Sequence, residues 1–441
     1  MSKPRLLFTA TLIAALSAGS ALAQLLPSVG QTLGSIGGGL PVLGQVLGGP
    51  QGQQQPVTSA TPGVIRTLDT LSFPKVASLD PMTLLDIRRL RLSELVRHNR
   101  QTLDRDGEGN PVRRGELVAV DADDGAIAAA RAAGFGVLRD ARSGELGLRM
   151  TIFSTPRGGS ARDALKRLHS AAPGIEADYN HLFEPAGGAL APAADVALAG
   201  GSADGARIAM IDGAVASHPS LAAAQIEQKG FAGTPAPTGH GTAVASLLVG
   251  NQGAFRGAAR GASLLVADVY GGNRAAGSAE AVVRALSWVV SKRPQVINIS
   301  LVGPDNRLLA AAIGAVRRRG IAVVAAVGND GPAAPPQYPA SYPGVIAVTG
   351  VDAGDRALVE AGKAMHLDFA APGADLAAAL PGHGYAKVRG TSFAAPLVAA
   401  RLAMAGSPDR LASEALPGKG RIGRGIVCRT CRIDPRLVGV K

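Results

Sequence analysis

Beyond residue 204 the chain alternates short apolar runs with longer amphipathic ones. Residues 207–211, 263–268, 296–301 and 321–326 are brief stretches of mostly Val, Ile, Leu and Ala and read as strands. Residues 242–249, 279–290 and 308–318 read as helices. Apolar strands this short, separated by helices, predict an α/β fold with a mostly parallel sheet covered on both faces. Between 115 and 184 the pattern changes. Residues 117–120 suit a strand, 123–133 an Ala-rich helix, 135–139 and 146–153 two strands joined at the Ser143-Gly144 turn, 160–170 a second helix and 175–179 a closing strand. This β-α-β-β-α-β order predicts a small α+β unit of ferredoxin-like pattern, which by itself names no function.

The pattern also divides the rest of the chain. Residues 1–23 read as a secretory signal: Lys3 and Arg5, an apolar stretch from Leu6 to Leu16, then Ala21-Leu22-Ala23 before Gln24. Residues 24–62 are uncharged and rich in Gly, Gln, Pro and Leu, a composition that predicts a tether. Within 63–114, Asp80 and Pro81 suit the cap and first position of a helix. Leu84, Leu85, Ile87, Leu92, Leu95 and Val96 recur at helical spacing, and Arg88, Arg89, Arg91 and Arg97 are expected on the remaining surface. Such a helix predicts packing on a neighbouring domain. The run Asp104-Arg105-Asp106-Gly107-Glu108-Gly109 begins like a calcium loop, but its twelfth position is Gly115 and not a bidentate Glu, so it reads as a turn. The small-residue stretch 185–203 is expected to be a flexible linker and processing region, 204–408 the main domain and 409–441 a basic tail.

Composition narrows this picture. Hydrophobic residues make up 46% of 441 and aromatics only 3%, so a sizeable core must be built from Ala, Val, Leu and Ile. The excess of 45 Lys+Arg over 33 Asp+Glu gives +12, which favours contact with envelope polyanions through the basic tail. No segment interleaves aromatics with basic residues, so nucleic acid is not an expected partner. No run after the first is long and apolar enough for a transmembrane helix. Cys428-Arg429-Thr430-Cys431 has the spacing of a redox or zinc half-site. It lacks a second Cys pair or nearby His, and an oxidising compartment favours a local disulfide, with intermolecular pairing left open.

Four segments carry candidate chemistry. Asp212 ends the apolar run 208–211, and catalytic groups in open α/β sheets sit at carboxyl ends of strands. His240 lies between Gly239 and Gly241 just before an apolar helix, free to approach a neighbouring strand. Ser392 stands where another helix begins, so the helix N-terminus and the Ser392 N–H favour an oxyanion. Asn329, after the strand 321–326, can supply a second donor from its side chain. An activated hydroxyl, a base, a carboxylate that orients the base and donors for developing charge are what acyl transfer needs.

Gly239-His240-Gly241-Thr242, Gly328-Asn329-Asp330-Gly331 and Gly390-Thr391-Ser392-Phe393-Ala394-Ala395-Pro396 resemble the His, oxyanion and Ser motifs of the subtilisin-like serine peptidases, in the order Asp, His, Asn, Ser. The resemblance covers about residues 207–405. It implies a serine endopeptidase acting on protein or peptide substrates through Asp212, His240 and Ser392, with no required cofactor or metal in the catalytic step. Calcium is allowed by family habit, although no clear site stands out. It also implies that Ser300 and Leu301 line the specificity pocket, that Gly277 and Ser278 lie on a strand pairing with substrate, and that 115–184 is a propeptide-like inhibitor of a secreted or periplasmic zymogen. Two departures stand out: Asp212-Gly213-Ala214 replaces the usual Asp-Ser/Thr-Gly, and Ala243 and Ser246 follow the His where His and Gly are common.

Overall fold

The computed structural model describes residues 79–186, the backbone of 190–195, 203–382 and 384–440. The expected signal and tether, and most of 63–80, lie outside the described residues. All described residues belong to one compact unit, 62–441.

Helix α1 (Pro81–His98) starts as its sequence dictates, with the Asp80 carboxylate accepting the Met82 and Thr83 amides at 2.9 and 3.1 Å. Strand β1 (Leu103–Arg105) turns into β2 (Pro111–Val120), followed by α2 (Asp124–Ala132), β3 (Gly136–Ser143), β4 (Leu148–Ser154), α3 (Ala161–Ala171) and β5 (Glu176–His181). The β-α-β-β-α-β order expected over 115–184 is therefore present, with neighbouring strands β3, β4, β2 and β5 all antiparallel. Strand β1, which sequence reading treated as part of a turn region, lengthens the sheet along β2. Its turn is fastened by Asp106, which accepts the Glu108 and Asn110 amides, each at 2.8 Å.

Two short strands follow, β6 (Glu184–Pro185) and β7 (Leu190–Asp195). The expected flexible linker over 185–203 is thus corrected: 190–195 is a strand whose backbone pairs on both sides. The rest comprises β8 (Arg207–Asp212), β9 (Ile226–Gly230), α4 (Gly239–Val249), β10 (Asn251–Gln252), β11 (Phe255–Arg256), β12 (Ser263–Asp268), α5 (Ala279–Ser291), β13 (Val296–Ile299), β14 (Leu301–Val302), α6 (Arg307–Arg318), β15 (Ala322–Ala326), β16 (Ile346–Val351), β17 (Phe369–Pro372), β18 (Leu376–Ala379), β19 (Tyr385–Val388), α7 (Thr391–Ala405), α8 (Pro408–Ser413) and β20 (Val438–Val440). Seven of these strands form one parallel sheet in the order β17-β16-β15-β13-β8-β12-β9.

Period-two alternation divides the core between the two faces of that sheet. Along β8, Ile208 and Met210 join the layer built with Val244 and Leu248 of α4 and Val398 of α7. Ala209 and Ile211 join the opposite layer with Leu286 of α5 and Ile313 of α6. That second layer also contains Val118, Val120, Met150 and Ile152, so the antiparallel sheet covers α5 and α6 with one face. Its other face buries Leu117 and Phe153 against α2 and against Leu168 of α3.

The basic C-terminal stretch is not a loose tail. Strand β20 pairs with β7, Ile426 and Val427 are fully buried, and Cys428 and Cys431 form a disulfide. Some of its cations have partners: Arg424 meets Asp409 at 3.0 Å, Arg429 meets Asp355 at 2.7 Å and Arg432 donates to the Asp352 carbonyl at 2.6 Å.

Burial pushes the Asp106 carboxyl up. Hydrogen bonds from His181, from the Asn110 side chain and from the Asn110 and Glu108 amides outweigh it, lowering it from 3.8 to about 2. A carboxyl depressed in the folded state adds stability that is complete above its unfolded value and disappears as pH falls through the folded one. Asp106→Asn should therefore lower the urea midpoint at pH 7, and its deficit against wild type should shrink as pH drops from 4 toward 2. A deficit equal at both ends of that range would show that the charge contributes nothing.

Candidate active site

Asp212 lies at the carboxyl end of β8, fully buried. In the first turn of α4, His240 places Nδ1 2.9 Å from Asp212 Oδ1 and equally close to Oδ2. Its Nε2 is 3.0 Å from Ser392 Oγ, in the first turn of α7. Residues 212, 240 and 392 are thus joined in one hydrogen-bonded line, a hydroxyl facing an imidazole that is oriented by a carboxylate.

This line depends on α4 coming unusually close to the end of β8. A Cβ on Gly241 would stand 2.3 Å from the Gly213 carbonyl oxygen, so only glycine permits the approach. Thr238 caps α4 by accepting the Gly241 amide at 2.9 Å. The Thr238 side chain also fills the space at Gly213, where a Cβ would meet Thr238 Oγ1 at 2.4 Å. Position 213 thus has no room for Ser or Thr while Thr238 stands there, and the Gly213 amide donates to Asp212 Oδ1 at 2.7 Å. Ala243 and Ser246 are buried in helix packing; Ser246 Oγ receives the Ala379 amide at 3.0 Å.

The Ser392 end is braced by hydrogen bonds from several segments. Ser300 Oγ donates to the Ser392 carbonyl at 2.9 Å and is itself bonded by Asn298 Nδ2 at 3.0 Å. The Thr391 amide donates to Asn329 Oδ1 at 2.9 Å, which fixes the amide so that Nδ2 points into the cleft.

A stretch of the chain itself lies in that cleft. Asn329 Nδ2 donates to the Ala186 carbonyl. The Ala186 amide donates to the Ser300 carbonyl at 2.8 Å, and β6 pairs antiparallel with β14 in the register Leu301 to Pro185 and Val302 to Glu184. On the other side, the Phe183 amide donates to the Gly277 carbonyl at 2.7 Å and Leu182 bridges Ser278 antiparallel. Residues 182–186 are therefore clasped as the middle strand between 277–278 and 300–302. The Ser278 hydroxyl faces elsewhere, capping α5 at the Ala281 amide. Tyr270, which sequence reading missed, donates its hydroxyl to the Phe183 carbonyl at 3.1 Å, and a Cβ on Gly303 would stand 2.6 Å from the Phe183 ring.

Helix α1 locks this arrangement. Arg88 and Arg91, expected on an open surface, are instead largely buried. Arg91 spans Glu184 at 2.8 Å and Asp330 at 2.9 Å, while Arg88 reaches Asp330 at 3.1 Å. Leu84 fits against Gly331, so α1 sits over the loop that carries Asn329. The arginine spacing was legible in sequence; its partners, some 90 and 240 residues away, were not.

Among the described residues no group of three or more His, Cys, Asp or Glu side chains could hold a metal ion, and no helix is long and apolar enough to cross a membrane.

Residues 186–413 match the model of the subtilase family of peptidases. The chain is 32% identical over 245 residues to the major intracellular serine protease of Bacillus subtilis, covering 52% of this chain and 76% of that protein. It is 35% identical over 218 residues to thermitase of Thermoactinomyces vulgaris, covering 47% and 77%. Its fold is similar to fervidolysin from Fervidobacterium pennivorans, a keratinolytic enzyme related to subtilisin, with a TM-score of 0.62 at 18% identity over 76% of this chain and 62% of that one.

Gly241→Ala tests the close approach directly. The added methyl must push α4 off β8 and lengthen the Asp212–His240–Ser392 line. Misplacement of this kind costs on the order of 10²-fold in rate, so peptide hydrolysis should fall about that far while circular dichroism still reports a folded protein. Unchanged hydrolysis would mean that the line tolerates the shift.

Proposed function

The chain belongs to the subtilase family of serine proteases, and on that premise we propose that it is an exported endopeptidase made as a self-inhibited zymogen. Ser392 Oγ is the nucleophile, losing its proton to His240 Nε2 as it attacks the peptide carbonyl. Asp212 holds the ring and stabilises the imidazolium. Asn329 Nδ2 and the Ser392 amide donate to the oxyanion. His240 returns the proton to the leaving amine, giving an acyl-enzyme that water hydrolyses by the reverse sequence. These steps need only protein groups. Export rests on the charged, apolar and small-residue pattern of 1–23.

The observation that carries this reading is the strand 182–186. Its carbonyl at Ala186 is held by the same Nδ2 that would receive an oxyanion, and its backbone pairs with the edges expected to hold substrate. The bond presented to Ser392 is then Ala186–Gly187. Residues 115–184 occlude the cleft before and after that cut, and Arg91 ties the occluding strand to the Asp330 loop. The cluster is largely buried, so removing the Arg91 guanidinium strips Glu184 of its ion pair while Asp330 keeps Arg88, and breaking a buried pair commonly costs about 3–5 kcal/mol.

Wild-type protein should therefore yield a new N-terminus at Gly187 on Edman sequencing, and Ser392→Ala protein should retain the junction. Asn329→Leu should lower kcat about 10²- to 10³-fold with little change in KM, a magnitude measured for this kind of donor in subtilisin. An intact junction in active wild-type protein would remove the zymogen reading, and full activity in folded Ser392→Ala protein would remove the nucleophile.

A further inference from the structure

We propose that Val302 closes the pocket receiving the side chain that precedes the scissile bond, restricting cleavage to sites after Ala, Gly or Ser. The inference rests on the reading of 182–186 as a substrate-like occupant of a working protease.

With its carbonyl on Asn329, Ala186 marks the residue whose carbonyl is attacked. Its side chain must enter between two walls, the stretch 300–303 and the stretch 327–329. The register places Ala186 opposite Ser300 and Glu184 opposite Val302. Directly paired residues share a face, and alternate residues along a strand share it too. Ser300, Val302 and Ala186 are therefore on the same side of the paired strands.

On that side Val302 reaches across to the second wall. A Cβ built on Gly328 would lie 3.3 Å from Val302 Cγ1, 3.8 Å from its Cγ2 and 3.4 Å from Gln337 Cγ. Even a single carbon added at Gly328 would be tight against the Val302 methyl, so the space between the valine and the Gly328 backbone is too narrow for a substrate side chain to pass. Neither group can easily swing aside: Val302 is 6% and Gln337 2% exposed, and a β-branched side chain is stiff at χ1. The chain's own residue at this place fits the restriction, since Ala186 offers a single methyl and is itself 2% exposed.

The test uses protein expressed as the full chain, with succinyl-Phe-Glu-Pro-X-p-nitroanilide substrates that copy residues 183–185, where X is Gly, Ala, Val, Leu or Phe. Hydrophobic pockets discriminate by roughly 10- to 200-fold for each methylene that does not fit. Wild type should favour Ala over Phe by at least about 10²-fold in kcat/KM, and Val302→Gly should raise the Phe-to-Ala ratio at least about tenfold, with Val302→Ala between them. Wild type taking Leu or Phe within about threefold of Ala would overturn the inference, as would a ratio unmoved in both variants. If Val302→Gly fails to fold, the wild-type panel and Val302→Ala decide the matter. Failure to hydrolyse any member, in protein that has lost residues 1–186, would instead overturn the protease reading beneath it.

Discussion

The approach of helix α4 to the carboxyl end of β8 is the constraint on which the site depends. Asp212 belongs to an interior strand of the parallel sheet, between β13 and β12, and His240 to the first turn of a helix that lies against that strand. A hydrogen bond of 2.9 Å between them requires the two backbones to come closer than side chains normally permit. Gly241 grants that distance, and Thr238 and Gly213 share the remaining space so that it is neither empty nor overfilled. Helix α7 then has to present Ser392 to the far nitrogen of the same ring, and the parallel sheet fixes its position too, through the layer that α4 and α7 share. The catalytic line is thus an outcome of how the two helices pack on one sheet.

A second constraint acts from outside. Backbone edges left exposed on both sides of a cleft can capture any extended segment, and here they hold the chain's own residues 182–186. Affinity from backbone pairing is indifferent to sequence, so side chains must supply what selectivity there is: the Phe183 ring against Gly303, Glu184 against Arg91, and Ala186 in the narrow place beside Val302. On the proposed reading, the contacts that hold 182–186 in the cleft also describe what a good substrate should look like.

Much of this was legible in the sequence because it is local. The runs of apolar residues predicted four of the seven strands of the parallel sheet, β8, β12, β13 and β15, to within a residue or two, and missed β9, β16 and β17, while the motif around Ser392 marked a helix start. Asp80 capped α1 as its chemistry requires. What was not legible depends on contacts between distant segments. Nothing at Arg91 points to Glu184 or Asp330, and nothing in the small-residue run 190–195 shows that β19 and β20 wait on either side of it. The departure at Gly213 is of the same kind: Thr238, from a separate segment, occupies the space a side chain at 213 would need. The basic C-terminal stretch read as a tail for the same reason, since β7, which pairs with β20, and Asp355, which meets Arg429, are distant in sequence.

Fluorophosphonate labelling with peptide mapping tests the central claim most directly, because the reagent reacts only with a serine whose proton is being taken. Processed wild-type protein should carry the adduct on Ser392, and His240→Ala protein with the cleft emptied should carry none. An adduct on another serine, or equal labelling of Ser392 without His240, would contradict the account.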